Sequence, residues 1–483
     1  MNILILSFLL FVIYLLMDLI RKNKKQTKID PPSPFALPLF GNLLQIGSLP
    51  HLGLETMAKK YGHVFRFWMG DVYAVVVSDP EVIREIMVKK FDNFSNRPKT
   101  PSFQVMSRNY VDLAMNHDEQ WYHIRKLVSN AFTKTKLRTI SNVLDEQVDH
   151  LIRKMNEYEK NKLPMYPKKY LQKYTLNMIF SIMFSDEIPY EEEENEGRMV
   201  RLCRSMHIIM QQAGSANFGD CINILRPLRS LWFKLFGSEM DNVFKITEEI
   251  YDEHWETLDK NNPRDLLDHL IIDSRGLKDK ESVIMIGNDF IVAGSETSAT
   301  TLELFLMFMI NNQEIQEKMA GELEGVVGLG NRATLSHRAN CPYSNAVIKE
   351  VMRIMPVTPL GIPREAKESI IIADKYFIQK GATVIINQRA LHHNTAHWVN
   401  PEKFMPERFL VEDDKHNDYL QPFSMGPRNC VGSNLAIEEL FVACANIINR
   451  FKLNSIDGKP VNEEELFGLA IAPHKFQVCL EAR

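Results

Sequence analysis

Cys430 lies in Pro422-Phe423-Ser424-Met425-Gly426-Pro427-Arg428-Asn429-Cys430-Val431-Gly432, where its chemistry is that of a thiolate offered to a metal. Gly426, Pro427 and Gly432 break regular structure around the sulfur, and the apolar positions Leu435, Leu440, Phe441 and Ala445 then take helical spacing. A thiolate ahead of a helix meets unpaired N–H groups and the positive end of the helix dipole, and both lower its pKa. Taken alone, a cysteine is more often a small buried hydrophobe. A second chemical element is Ala293-Gly294-Ser295-Glu296-Thr297-Ser298, inside a helical stretch over 282–310. Glycine costs a helix about 1 kcal/mol relative to alanine, and mid-helix hydroxyls bond back to carbonyls one turn earlier. An acid beside a hydroxyl on such a distorted turn can relay protons. The bland alternative is a close helix crossing with a capping threonine.

Two charged pairs complete the set. Glu350 and Arg353 stand three apart and share a helix face, a spacing that usually marks a surface ion pair of little consequence. Trp121 and Arg125 stand four apart on another helix, and the bland alternative there is a core tryptophan beside a solvent-facing arginine. The histidines add nothing chemical: no pair has metal-ligand spacing, and His51, His63, His254, His392 and His393 read as packing or surface residues.

Phe423, Gly426, Arg428, Cys430 and Gly432 match F-x-x-G-x-R-x-C-x-G, and in this the chain resembles the cytochrome P450 family. The resemblance implies haem b held by Cys430, a thiolate ligand that favours O–O cleavage. It implies that Phe423 shields the sulfur and that Arg428 pairs with a haem propionate. The 293–298 stretch matches the family's oxygen-activation motif, so that Thr297 and Glu296 handle protons while Ala293 and Gly294 leave room over the haem. Glu350-Val351-Met352-Arg353 resembles the family's E-x-x-R helix. With Pro401, Phe404 and Pro406-Glu407-Arg408-Phe409 it implies a structural triad of Glu350, Arg353 and Arg408 that holds the cysteine loop. The W-x-x-x-R resemblance implies that Trp121 and Arg125, with Arg364 and Arg428, bind propionates, a task suited to the planar guanidinium fork.

Around these residues the chain reads as a mainly α-helical α+β protein of the cytochrome P450 fold with a small β-rich region. Residues 117–355 are dominantly helical in pattern. Val64–Phe67 and Val72–Val77 read as a hairpin about Gly70-Asp71, residues 366–387 return to strand-like alternation with Gly381 as a turn, and Phe476–Leu480 alternates again. The 483 residues are 45% hydrophobic and 24% charged, an ordinary globular composition. A net charge of −4 with mixed signs points away from nucleic acid. Six scattered cysteines with no Cys-x-x-Cys spacing argue against zinc and dithiol chemistry.

The N-terminus is the compositional outlier. Ile3 to Met17 is apolar but for Ser7, and Arg21, Lys22, Lys24, Lys25 and Lys28 follow it, the pattern of a signal anchor whose basic flank stays cytoplasmic. The expected organisation is therefore an anchor at 1–20, a basic and proline-rich linker at 21–40 and one haem-thiolate domain at 41–483. The expected location is the endoplasmic reticulum membrane, single-pass, with the catalytic domain on the cytoplasmic side. The acidic run at 191–194 reads as a solvated loop.

The resemblance covers nearly the whole chain. It implies a monooxygenase that inserts one atom of O2 into a small apolar substrate with electrons from NADPH. The donor would be a separate NADPH–cytochrome P450 reductase, with cytochrome b5 as a further candidate, docking on the basic surface of Lys126, Lys134, Lys136 and Arg138. A haem-thiolate isomerase or dehydratase that uses no O2 is the alternative, and the intact Glu296-Thr297 pair argues against it. Walls of an apolar pocket are expected from 102–116, 206–218, Ile286, Phe290, Ala293, 358–362 and 469–471.

Overall fold

The computed structural model describes residues 3–190, 198–214, 217–273, 280–411 and 415–483; the side chains of residues 133–139, 198–200, 207, 212–214, 415 and 417 also lie outside the description. The acidic run at 191–194 therefore falls outside the described residues, as do the side chains of Lys134, Lys136 and Arg138.

The apolar N-terminal run forms one helix, Ile3–Asn23, with a mean hydropathy of 2.8 and almost nothing buried along it. By length and composition it can cross a bilayer. Past the prolines, Val64–Met69 and Val72–Val77 pair antiparallel through a turn at Gly70, whose φ is 57°. The second strand then pairs in parallel with Thr383–Ile386, which pairs antiparallel with Arg364–Glu365. The small sheet thus joins distant parts of the chain. The alternation at 366–387 resolves into Ile370–Ile372, Tyr376–Ile378 and Thr383–Ile386, with Gly381 at φ 74°. The C-terminal strand Cys479–Ala482 pairs with Phe451–Asn454.

Helices make up the rest. A central helix, Lys280–Asn311, is apolar on every side from Leu304 to Ile310 and buried accordingly. It crosses Pro167–Phe184, itself almost wholly buried. Missing side chains make close approaches possible: a Cβ on Gly294 would stand 2.6 Å from Ile179 Cδ1, and one on Gly287 would stand 2.8 Å from Thr247 Cγ2. Three further helices matter for the site. Asp118–Lys160 carries the tryptophan and arginine, Pro342–Ile354 carries the glutamate–arginine pair, and Ser433–Arg450 follows the cysteine.

Candidate active site

Backbone constraints build the loop that carries Cys430. Ser424 N–H donates to Gln421 O (3.1 Å), Asn429 N–H to Gly426 O (3.0 Å) and Cys430 N–H to Phe423 O (3.0 Å). Gly426 has φ 73°, and a Cβ there would stand 1.9 Å from Met87 O. Only glycine meets both demands. Gly426→Ala should therefore lower stability by more than about 1–2 kcal/mol, the cost of the left-handed conformation alone. An unchanged urea midpoint would contradict that.

Gly432 caps the helix Ser433–Arg450, and the thiol lies at its start, as expected. The Cys430 side chain is open, but to a recess within the protein and not to bulk water. Burial pushes its thiol pKa up, while the Gly432 backbone and Arg125 pull it down. This reverses the expected net lowering. The N–H donor and the cation are in place, yet the confined surroundings cost the free thiolate more than they return.

Behind the loop, Glu350, Arg353 and Arg408 come together with almost no exposure. Arg353 Nε and Nη2 donate to the two Glu350 oxygens at 2.7 and 2.9 Å, and Arg408 Nε reaches both at 3.1 Å. The remaining guanidinium donors go to backbone carbonyls. Arg353 bonds His392 O and Pro401 O (both 2.8 Å), and Arg408 bonds Val399 O (3.0 Å) and Lys403 O (3.2 Å). Glu350 Oε1 also accepts from Met405 N–H. Trp398, fully buried, lies against both guanidiniums.

His392 connects this triad to the cysteine loop, a role that sequence reading missed. Its carbonyl accepts from Arg353, and its Nε2 accepts from Gln421 N–H (3.0 Å), where the loop begins. A buried ring that must accept at Nε2 is neutral, and burial beside Arg353 pushes its pKa down to about 3. The unfolded chain therefore binds this proton first. Stability from His392 is complete above about pH 6.5 and is lost as pH falls from there toward 3. His393, also held low by burial, acts with the same sign. His392→Gln keeps an acceptor without the titration, so the mutant's melting temperature should fall less across that window. Parallel wild-type and mutant curves would refute the linkage.

In front of the loop stand four guanidiniums. Arg428 stacks 4.3 Å over the buried Trp121 ring and bonds Ala114 O (3.1 Å) and Asn116 O. Arg364 is buried, with Nε and Nη1 unpartnered and only a 3.4 Å bond from Nη2 to Arg428 O. Arg125 bonds Asn429 Oδ1 (2.8 Å). The fourth, Arg97, was not expected: its donors go to Ala114 O, Ile362 O and Pro363 O. Burial first, then the neighbouring guanidiniums, holds Arg364 far below its ordinary range and Arg428 down at about 8. Burial likewise takes Arg97 to about 9. The acid beside them, Asp112, is itself pushed up by burial and by Asp289. Uncompensated buried cations are costly. The donor set therefore fits a group that brings its own carboxylates, as haem does with two propionates, next to an open thiol.

On the central helix, Thr297 Oγ1 donates to Ala293 O (2.8 Å), the expected back-bond. Ala293 is exposed although the helix around it is buried, so it borders an internal space. Gly294 does not serve that space. Its missing side chain admits Ile179, and here the bland reading of a helix crossing holds. Glu296 turns away toward Pro167–Phe184, where Gln172 Nε2 donates to it at 2.7 Å and Lys168 Nζ lies 3.6 Å away.

The cytochrome P450 family model matches residues 31–480. This chain belongs to the cytochrome P450 family. A probable cytochrome P450 508A1 of Dictyostelium discoideum is 39% identical over 98% of each chain, and a probable cytochrome P450 508A2 of the same organism is 37% identical over 98% of each. A zebrafish cytochrome P450 solved with abiraterone has a TM-score of 0.77 at 27% identity, covering 90% of this chain and all of that one. A second zebrafish structure, with progesterone, gives 0.78 at 26%. The chain is therefore an oxidoreductase of the haem-thiolate monooxygenase family and binds haem b.

In this cytochrome P450, part of the expected pocket wall borders a described cavity whose lining does not include Ala293. Ser102, Phe103, Met106, Met115, Leu360 and Leu469 line a cavity of about 580 Å³. Ile286 and Phe290 pack into the core instead, Phe290 against Phe132. The cavity's outer rim carries charges that the expectation of an apolar wall did not include: Arg21, Asp71, Asp220 and Arg226. His51 and His254, read as isolated, are both buried and paired, with Glu465 and Asp265 respectively. Their partners lie too far along the chain, or off helical spacing, for sequence to signal.

Proposed function

We propose that this cytochrome P450 is a membrane-anchored monooxygenase of the microsomal type, with Cys430 as the axial ligand of the haem iron. When bound, haem supplies the oxygen activation, and the protein supplies ligand, charge and proton handling. The observation that carries the reading is one open thiol, held rigid from behind by the Glu350–Arg353–Arg408 network and faced by four guanidiniums, three buried and Arg125 half-buried, with too few acids. Arg97, Arg125, Arg364 and Arg428 hold the propionates, with Trp121 packing beneath Arg428. Phe423, half-buried against the core, screens the sulfur. Glu350, Arg353 and Arg408 are structural.

Thr297 presents its hydroxyl beside Ala293 and holds a proton there, and Glu296 exchanges protons toward solvent on the side of Lys168, whose side chain is 32% exposed. Thr297→Ala should leave reduction intact but lower product formed per NADPH by about a hundredfold, the low end of general-acid contributions. Unchanged coupling would remove Thr297 from the proton path. Electrons come from NADPH through a separate NADPH–cytochrome P450 reductase, with cytochrome b5 as a further donor. The exposed Lys126 begins the basic surface that steers an acidic partner.

The membrane reading rests on two apolar surfaces. One is Ile3–Asn23. The other is the helix Arg226–Phe236, none of whose residues is buried and which exposes Leu228, Trp232, Leu235 and Phe236. Patches of this kind mark interaction sites. The proposed location is the endoplasmic reticulum membrane, and the basic cluster after the anchor supports a cytoplasmic side for the domain. Reductase- and NADPH-dependent oxygen uptake, stimulated by an apolar substrate and accompanied by hydroxylated product, tests the whole reading. A haem-loaded enzyme that turns over substrate without oxygen uptake would replace it with isomerase chemistry.

A further inference from the structure

The anchor helix does not end where its apolar run ends. Its last turns carry Asp18 and Lys22, which are 4% and 1% exposed while Met17 and Ile20 beside them remain open. Lys22 Nζ bonds Asp18 Oδ2 at 2.6 Å, and Arg21 Nη2 bonds Asp18 Oδ1 at 2.7 Å. Both cations also turn to Asp71 at the hairpin tip: Arg21 Nη2 lies 3.1 Å from its Oδ1, and Lys22 Nζ lies 3.7 Å from it. The backbone joins in. Leu39 N–H donates to Asp18 Oδ2, Trp68 Nε1 donates to Lys22 O, and Asn23 exchanges two bonds with Ala36. Such a junction is not a free tether.

Asp71 reaches a third element. Its Oδ2 accepts from Asn223 N–H (2.9 Å), and its own N–H donates to Cys221 O (2.9 Å), both just ahead of the apolar helix Arg226–Phe236. A Cβ on Gly70 would stand 2.7 Å from Cys221 O, so the hairpin tip meets this segment at backbone distance. Arg21, Asp71, Asn223 and Arg226 together line the rim of the 580 Å³ cavity.

We infer that Asp71 is a positioning residue. It locks the membrane helix, the hairpin and the apolar helix Arg226–Phe236 into one block, which seats the cavity rim against a lipid bilayer. The occupant of the exposed apolar face is lipid because Asp71 ties the segment just ahead of that face to the helix read above as the membrane anchor. The pairing is internal and buried on the Lys22 side, so it is insulated from the salt screening that weakens surface pairs. This rests on the anchor reading above.

The test uses full-length holoenzyme in phosphatidylcholine vesicles whose acyl chains are brominated, with Trp232 emission isolated by subtracting a Trp232→Phe variant. Wild type should float with the vesicles and show quenched Trp232. Asp71→Ala should still float yet lose that quenching, and mass spectrometry of a brief tryptic digest in detergent should find cleavage after Lys22 itself, which wild type protects while its exposed Lys24 and Lys25 are cut. Asp71→Asn, which keeps the hairpin's shape and an acceptor for Asn223, should lose the Lys22 protection without unfolding. Retained quenching together with retained protection in both variants overturns the lock. Wild type that fails to float overturns the bilayer as occupant and the anchor reading with it, while trypsin protection in detergent still reports the lock separately.

Discussion

Cys430→Ala should yield a folded protein that, reduced under carbon monoxide, shows no Soret band of the thiolate type. The loop does not depend on the sulfur for its shape. Its bonds are backbone to backbone, from Ser424, Asn429 and Cys430 N–H groups to carbonyls within the loop, and its contact with Met87 is made by Gly426. The substitution therefore removes a ligand and leaves a scaffold, so the apoprotein's unfolding free energy, read from urea curves, should change by no more than about 1 kcal/mol. No other described cysteine is placed to substitute. Cys221 and Cys341 are buried with pKa values pushed up to about 12 and 11, Cys203 is pushed up to about 12, Cys444 is deep in the core, and Cys479 lies on the C-terminal strand opposite Asn454. A thiolate-type band that survives in Cys430→Ala would sink the assignment.

Glu350→Ala should do the opposite, leaving the ligand in place and destroying what holds it. Two guanidiniums with 0% and 2% side-chain exposure would lose their shared counter-charge. Breaking such a pair by removing one partner costs about 3–5 kcal/mol, a large part of the roughly 5–15 kcal/mol that holds a domain folded. The damage should travel along named bonds. Arg353 would release His392 O and Pro401 O, and His392 would then no longer fix Gln421 at the head of the cysteine loop. Haem retention should fall together with the denaturation midpoint. Glu350→Gln, which keeps acceptors for Met405 N–H and one guanidinium, should fall between. A Glu350→Ala enzyme with wild-type haem content and midpoint would show the triad to be dispensable.

The residues that announced themselves in sequence did so through fixed local spacing. The hairpin, the long central helix and the glycines around Cys430 all carry their geometry within a few residues, and each lies where that spacing implied, whereas the spacing of Glu350 and Arg353 gave their contact but not their burial. Other contributors were invisible because their meaning depends on distant partners. Arg97 sits alone in a loop and gains significance only beside Arg364 and Arg428. His392 read as one more packing or surface histidine until Arg353 and Gln421 closed on it. Gly294 sits inside a motif that implies room over haem, yet packing gives its missing side chain to Ile179. The sign of the Cys430 shift was missed for a related reason: helix dipole and donors are legible locally, but desolvation belongs to the whole surrounding protein.

The contact between Gly426 and Met87 has a consequence for biogenesis. One side of the thiol's seat is made early in translation and the other close to the end, and the parallel pairing of Val72–Val77 with Thr383–Ile386 spans the same interval. Contacts so far apart in the chain close late. A chain halted before Thr383 would leave the hairpin's parallel edge unpaired. The seat of the thiol is therefore incomplete until residues from both ends of the chain have met.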